Sequence, residues 1–251
     1  MFGIINLTGK FWHNSGRLLP GLLGKALVLA LIWQFLPYWI FILASLYLYF
    51  KSGSRALDLF LAYILLLAAS VAVKLWLGFA NIGKILIEFN SQVQYSLALT
   101  LFVAWFLLFG IKELVFLRRK EMLVLLQTLI FFILAFLFLW LISPGDFYPA
   151  IFIFSTVTML LFAQFYNFVS QKSFGYALFL AITSSLVVLE IAWVASLLPV
   201  GIFGATTILV LFWFFAQRMY LLYEEKLLEA KVLLKNGLLF AALLVLVLVF
   251  S

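Results

Sequence analysis

The feature that most constrains this chain is a succession of apolar stretches separated by short polar breaks. A helix needs about 20 mostly apolar residues to cross a hydrocarbon core of about 30 Å, and several of these stretches reach that length. Hydrophobic residues make up 68% of the sequence and charged residues only 10%, whereas about 25% charge is usual in a soluble domain. The sequence therefore predicts an integral membrane protein.

The same stretches favour helices over the other membrane architecture. Strands of a transmembrane barrel alternate apolar and polar residues, but apolar runs such as FFILAFLFLW are continuous here. A cleaved signal peptide is not expected, because the first apolar run follows Lys10, Arg17 and Lys25 and shows no small-residue cleavage pattern. We expect the first helix to be retained.

The polar breaks predict an all-α, polytopic bundle of about nine transmembrane helices. An interfacial segment at residues 1–17 should precede a single helical domain at residues 18–251. Pro37, among Trp and Tyr side chains that favour the membrane interface, predicts a turn between the first two helices. Later helices are expected at about 56–77, 93–117, 121–142, 149–170, 174–198, 200–220 and 232–251.

Two polar segments between helices have their own interpretation. Residues 78–92 are compatible with a loop, a short interfacial helix or a re-entrant turn. Residues 217–235 contain neither Gly nor Pro and carry recurring leucine pairs. They predict an amphipathic extension of the eighth helix along the cytoplasmic membrane surface.

The distribution of positive charge predicts the orientation. Cytoplasmic loops of membrane proteins collect Lys and Arg. With a cytoplasmic amino terminus and an external carboxyl terminus, only Lys74 and Lys84 of the 16 Lys and Arg residues fall outside. We therefore expect a multi-pass protein of the cell inner (cytoplasmic) membrane. Its surroundings should be the lipid bilayer and not nucleic acid.

No metal or cofactor is expected from the residue types present. The chain has no cysteine, and its one histidine, His13, lies in the basic amino-terminal segment. It has no phosphate-binding or dinucleotide-binding glycine motif and no pair of aspartates on one helix. An enzyme is therefore a less favoured class than a binding or scaffold protein.

Glu190 is the acidic residue that lies deepest inside a predicted span. It is about eight residues, or roughly 12 Å, from the outer end of its helix. A carboxylate at that depth is expensive in lipid, so a functional role is the default hypothesis. We expect Glu190 to face the bundle and either to keep its proton, as a hydrogen-bond donor to a neighbouring helix, or to pair with Lys74.

Further polar side chains lie at a similar depth in the outer half of the predicted bundle. With Glu190 and Lys74, they complete the candidate buried polar site: Thr158, Thr183, Thr206 and Thr207. This layer would line a pocket open to the outside, or its hydroxyls would bond their own helix backbones. Both alternatives are compatible with the sequence.

A second polar stripe follows helical spacing on the cytoplasmic half of the sixth helix. It consists of Gln164, Asn167 and Gln171, at positions i, i+3 and i+7. The stripe predicts packing against another helix, and a binding site is the alternative.

Two short motifs resemble a known group of proteins. FYNFVSQK at residues 165–172 and YEEKLLEAKVLL at residues 223–234 each adjoin a long apolar helix. Over this last third the chain resembles an uncharacterised family of small bacterial multi-pass membrane proteins. The resemblance implies residence in a bacterial membrane, and the family has no assigned activity to carry over.

Two hypotheses for the function follow from these features. The first is a permease-like or small-solute-binding protein, with its site in the polar layer of the outer half. The second is a non-catalytic scaffold or accessory subunit of a membrane complex, with other membrane proteins as partners, because few polar groups are available to line a water path.

Overall fold

The structure, a computed structural model, describes residues 8–51, 59–82, 90–113, 118–141, 147–170 and 173–250. Within these ranges the regular secondary structure is α-helical, as predicted. The helices are α1 Thr8–Phe35, α2 Tyr38–Lys51, α3 Phe60–Ile82, α4 Asn90–Lys112, α5 Arg119–Leu141, α6 Phe147–Val169, α7 Phe174–Leu197, α8 Ile202–Glu224 and α9 Ala230–Phe250.

Six of the described helices, α4 to α9, are long and apolar enough to cross a membrane. Three shorter apolar stretches, Leu19–Phe35, Tyr38–Lys51 and Phe60–Leu75, lie in α1, α2 and α3. These are helices of a membrane-embedded, multi-pass protein. Residues 83–89, the middle of the segment given three interpretations, lie outside the described residues.

The predicted break at Pro37 is confirmed. Helix α1 ends at Phe35 and α2 begins at Tyr38. The backbone N–H groups of Ile40 and Phe41 donate to the Pro37 carbonyl oxygen at 3.1 and 3.3 Å, which starts the first turn of α2. Proline is tolerated here because it has no N–H to donate and because it disfavours helical backbone at the residue before it.

The prediction of one amphipathic helix over residues 217–235 is wrong. Helix α8 ends at Glu224 and α9 begins at Ala230. Lys226 has a positive φ of 56°, and its backbone reverses the chain direction without a glycine. The amino-terminal half of the expected surface helix is therefore the end of α8, and its carboxy-terminal half is the start of α9.

The chain forms two compact units, residues 1–122 and residues 123–251. In the first, α1 packs against α2 and α4, and α3 packs against the same two helices. Trp105 lies in its core, with ring centroids 5.9 Å from both Phe41 and Tyr63. The indole N–H of Trp33 donates to the Ser70 carbonyl oxygen at 2.8 Å and ties α1 to α3.

The second unit contains α5 from Leu123 onward and α6 to α9. Helix α7 packs between α6 and α8, and α9 packs on α8. The core is centred on Trp213, whose ring stacks on Phe131 at 4.4 Å and lies 4.1 Å from Phe162. The single domain expected over residues 18–251 stays a prediction.

Candidate functional site

Glu190 lies on the exposed side of α7. The expectation that it faces the interior of the helix bundle is therefore wrong. The side of α7 that packs against its neighbours is formed mainly by small residues, which allow close helix approach. The buried residues of α7 are Ala177, Ala181, Ser185, Val188, Ala192 and Ala195.

Glu190 lines a half-open pocket of about 240 Å³ in the second unit. Three helices contribute to the pocket, close to the carboxy-terminal ends of α5 and α7 and the amino-terminal end of α6. Its lining consists of Phe138, Ile151, Leu189, Glu190, Ala192, Trp193 and Ser196. The Ser196 hydroxyl donates to the Trp193 carbonyl oxygen at 2.7 Å, so Glu190 is the ionisable group of an otherwise apolar lining.

The side chain of Lys74 forms hydrogen bonds with the end of α1. Its ammonium group donates to the carbonyl oxygens of Trp33 and Leu36, which are groups that a helix end leaves without intrahelical partners. Lys74 thus holds the turn at Pro37 against α3. Lys74 and Glu190 belong to different units, and their pairing stays a prediction.

The hydroxyls of the expected polar layer are mostly used within their own helices. Thr183, Thr206 and Thr207 donate to the carbonyl oxygens of Phe179, Ile202 and Phe203, at 3.0, 2.7 and 2.7 Å. For these three residues, the self-bonding alternative applies. Thr158 is buried, and its hydroxyl has no hydrogen-bond partner in the described part of the chain.

The residues of the polar stripe on α6 differ in exposure. Gln164 is buried and Asn167 is exposed, while Gln171 lies outside the described residues. The expected packing against another helix occurs at Gln164, whose side-chain oxygen accepts a bond from Gln127 Nε2 of α5 at 3.3 Å.

Sequence reasoning missed Gln127, the partner of Gln164, and Gln217, which bonds Gln127. Gln127 is completely buried, as is Gln217 of α8, and Gln217 Nε2 donates to Gln127 Oε1 at 2.7 Å. A signal for them exists in the sequence. Each glutamine lies five to eight residues from one end of its helix, or about 7 to 12 Å at 1.5 Å per residue. The alternating direction of α5, α6 and α8 predicts that these three ends share one side of the membrane.

The chemistry available at these sites is binding chemistry. Among the described residues, no group of three or more His, Cys, Asp or Glu is placed to hold a metal ion. The pocket offers one carboxylate against apolar walls, and the glutamine cluster offers amide donors and acceptors.

Comparison with protein-family models, curated proteins and solved structures found no match. The resemblance to small bacterial multi-pass proteins stays a prediction.

Proposed function

We propose that this chain is a permease-like or ligand-binding membrane protein that takes up a small cationic amphiphile in the pocket of α5, α6 and α7. The observation that carries the proposal is a carboxylate at the wall of an apolar pocket, within a helix long enough to cross a membrane. Ionisable side chains inside membrane spans are rare and commonly mark ligand or ion sites.

The lining supports an amphiphile over a water-soluble solute. Phe138, Leu189 and Trp193 offer apolar surface for a hydrocarbon body, and Glu190 offers the opposite charge for an ammonium group. A volume of about 240 Å³ is below the roughly 300–1,000 Å³ of sites for drug-sized ligands. The pocket therefore suits one ring or the end of an alkyl chain. Trp193 and Glu190 are exposed, so such a ligand would enter from the bilayer.

The proposal includes the orientation predicted from charge. Nine membrane crossings, a cytoplasmic amino terminus and an external carboxyl terminus would place the pocket near the outer face of a bacterial cytoplasmic membrane. The pocket lies near Leu197, the last residue of α7, and no Lys or Arg falls between Phe174 and Gln217. Scarcity of these residues is typical of external loops.

A photocrosslinking experiment tests the proposal. The probe is a long-chain primary amine with a benzophenone in its chain, and the reference is the corresponding alcohol, which has no charge. In detergent or lipid nanodiscs, the amine should label the peptide containing residues 189–196 several-fold more than the alcohol does. Glu190→Gln should lower labelling by the amine to the level of the alcohol.

The matched control is Thr183→Val, also on the exposed side of α7, whose hydroxyl is bonded to its own backbone. This variant should label like the unmodified protein. Equal labelling of α7 and of the exposed helix α9 by both probes would overturn the proposal, because it would show simple partition into the detergent or lipid shell.

The scaffold hypothesis has one supporting observation, in α9. None of its residues from Ala230 to Phe250 is buried. It contacts α8 through Phe240, whose ring centroid lies 4.7 Å from those of Phe212 and Phe215. A helix so weakly covered is suited to lying against another membrane protein. Solubilisation of native membranes with a mild detergent separates the hypotheses: a scaffold runs with stoichiometric partners, and a permease-like protein runs alone.

A further inference from the structure

Three buried glutamines of the second unit form a chain of amides with a fixed direction. Gln127 Nε2 donates to the backbone carbonyl oxygen of Leu161 at 3.1 Å. A carbonyl oxygen only accepts, so the nitrogen of this amide must point toward α6. The Gln127 oxygen must then face Gln217, which presents its own nitrogen, and Gln164 must present its oxygen. Neither neighbouring amide can be turned over without losing its bond.

With the amides in this direction, the Gln164 end of the cluster presents an unused donor and the Gln217 end an unused acceptor. Gln164 Nε2 and Gln217 Oε1 are buried and have no hydrogen-bond partner within the described residues. The indole Nε1–H of Trp213 is in the same situation. Trp213 and Gln217 are four residues apart on α8, so they lie on one face of that helix, one turn apart.

Unpaired amide and indole groups are costly at this position. Burying a polar group without a hydrogen bond is unfavourable, and the hydrocarbon core offers no water to compensate. Two unpaired donors and one unpaired acceptor lie on α6 and α8, which pack against each other, and a small bound molecule would satisfy them. Internal waters typically make about three such hydrogen bonds.

We propose that the second unit contains a buried binding position for one small, neutral hydrogen-bonding molecule between Gln164, Trp213 and Gln217. The molecule accepts from Gln164 Nε2 and from the Trp213 indole N–H, and donates to Gln217 Oε1. This position is independent of the Glu190 pocket, because no residue is shared between them.

The surroundings define the class of molecule. Gln127, Gln164, Gln217 and Trp213 carry no charge, which excludes an ion as the preferred occupant. Phe131 stacks on the indole and Phe162 lies 4.1 Å from it, so the occupant is a molecule of only a few atoms. Water and a small primary amide share the required chemistry, one acceptor oxygen with at least one donor hydrogen, and the test below distinguishes them.

The test observes the Trp213 indole N–H by nuclear magnetic resonance, in deuterated protein with ¹⁵N-labelled tryptophan. Trp213→Phe keeps an aromatic ring and assigns the resonance by its loss. Trp33, whose indole N–H donates to the Ser70 carbonyl oxygen at 2.8 Å, is the internal reference for a hydrogen-bonded indole. We expect the Trp213 N–H proton to resonate in the same downfield region as that of Trp33.

Two arms identify the occupant. A magnetisation-transfer cross-peak from the Trp213 N–H to water, which does not change when acetamide is added, identifies an internal water. A saturable shift of the Trp213 resonance as acetamide is added identifies a site for small amides. Gln217→Met should move the resonance upfield in either case, and Asn167→Met, at an exposed position of α6, should leave it in place. Gln217→Asn serves the same purpose if the Met variant does not fold.

The Trp213 N–H spectrum of the unmodified protein is enough to overturn the proposal. A Trp213 N–H that resonates upfield of Trp33, with no cross-peak to water and no response to acetamide, would mean that the indole is unbonded and the position is empty. A resonance that ignores both Gln217 variants in folded protein would mean that another group satisfies it.

Discussion

Lys112 is the most unusual charged residue of the first unit. Its side chain is 1% exposed, and its ammonium nitrogen has no hydrogen-bond partner in the described part of the chain. The nitrogen lies 4.0 Å from the centroid of the Tyr49 ring. Such a cation–π contact contributes about 2 kcal/mol when desolvated, but removing an ammonium from water costs several kcal/mol. The desolvation is the larger of these two effects, so we expect the Lys112 charge to be destabilising.

We therefore expect Lys112→Met to stabilise the protein. Methionine keeps the unbranched, flexible shape and removes the charge, and replacing buried charges by apolar residues of similar volume is often neutral or stabilising by about 1–4 kcal/mol. The control is Lys51→Met, because Lys51 is exposed and lies 5.3 Å from the Tyr47 ring. Thermal unfolding in detergent should show a higher Tm for the first variant only. A lower Tm would mean that the attraction between Lys112 and the neighbouring Glu113 carboxylate outweighs the desolvation.

Gln127 is the central residue of the amide cluster, and Gln127→Leu should destabilise the second unit. It bonds the Leu161 carbonyl oxygen, Gln164 and Gln217, so its loss leaves buried groups unpaired at about 1–3 kcal/mol. Asn167→Leu, at an exposed site, should change the free energy of unfolding by no more than about 0.5 kcal/mol. The double change Gln127→Leu with Gln217→Leu should recover part of the loss. Strict additivity of the two changes would contradict a bonded cluster.

The depth of a polar residue in the membrane could be predicted from the sequence, but the side of the helix on which it lies could not. The position of Glu190 along α7 follows from counting residues, but its side does not, because both sides of this helix are apolar. In water, a polar face would reveal the exposed side of a helix. In lipid, the informative difference is size, and Ala177, Ala181, Ala192 and Ala195 mark the packed side of α7.

The end of α8 is a Schellman motif with a lysine at the position that glycine usually occupies. The backbone N–H of Leu227 donates to the Leu222 carbonyl oxygen at 2.9 Å, and that of Lys226 donates to the Tyr223 carbonyl oxygen at 3.0 Å. These two bonds define the motif. Lys226, with φ of 56°, is in the left-handed region that costs a side-chain-bearing residue about 1–2 kcal/mol.

We expect Lys226→Gly to stabilise the turn between α8 and α9 by up to about 1 kcal/mol, because glycine adopts a positive φ without a steric penalty. Lys226→Val should destabilise it, since a β-branched residue is a genuine outlier there. Lys235→Gly, past the first turn of α9, is the control for glycine itself and should destabilise by about 1 kcal/mol. Among these variants, Lys226→Gly should have the highest Tm in detergent. The reverse order of the two Lys226 variants would contradict the left-handed turn.

At the element scale, most boundaries could be predicted because proline and clustered charge interrupt the apolar runs. Helix α1 ends at Phe35, at the break predicted from Pro37. The end of α8 was missed because its turn uses Lys226, which carries no sequence signal for a positive φ. The preceding polar residues looked like a continuing amphipathic helix for the same reason.

The orientation of the whole molecule depends on whether α2 crosses the membrane. Helix α2 has 14 residues, about 21 Å at 1.5 Å per residue, which is shorter than a hydrocarbon core of about 30 Å. A short helix can still span if the bilayer thins locally. The residues at its ends suit this: Tyr38 and Trp39 favour the interface at one end, and Lys51 can snorkel at the other. If α2 did not cross, every later loop would be on the opposite side.

The distribution of Lys and Arg favours a crossing, and this is the prediction for the whole chain. Without the crossing, Lys51, Arg118, Arg119 and Lys120 would all be external, against the strong preference of Lys and Arg for cytoplasmic loops. Reporter fusions after Lys51, Arg119 and Glu225 should therefore be cytoplasmic, and a fusion after Pro199, between α7 and α8, should be external. The Lys51 fusion is the decisive one, because it lies directly after the short helix. An external reporter at Lys51 together with a cytoplasmic one at Pro199 would contradict the crossing of α2, and the pocket of Glu190 would then lie near the cytoplasmic face.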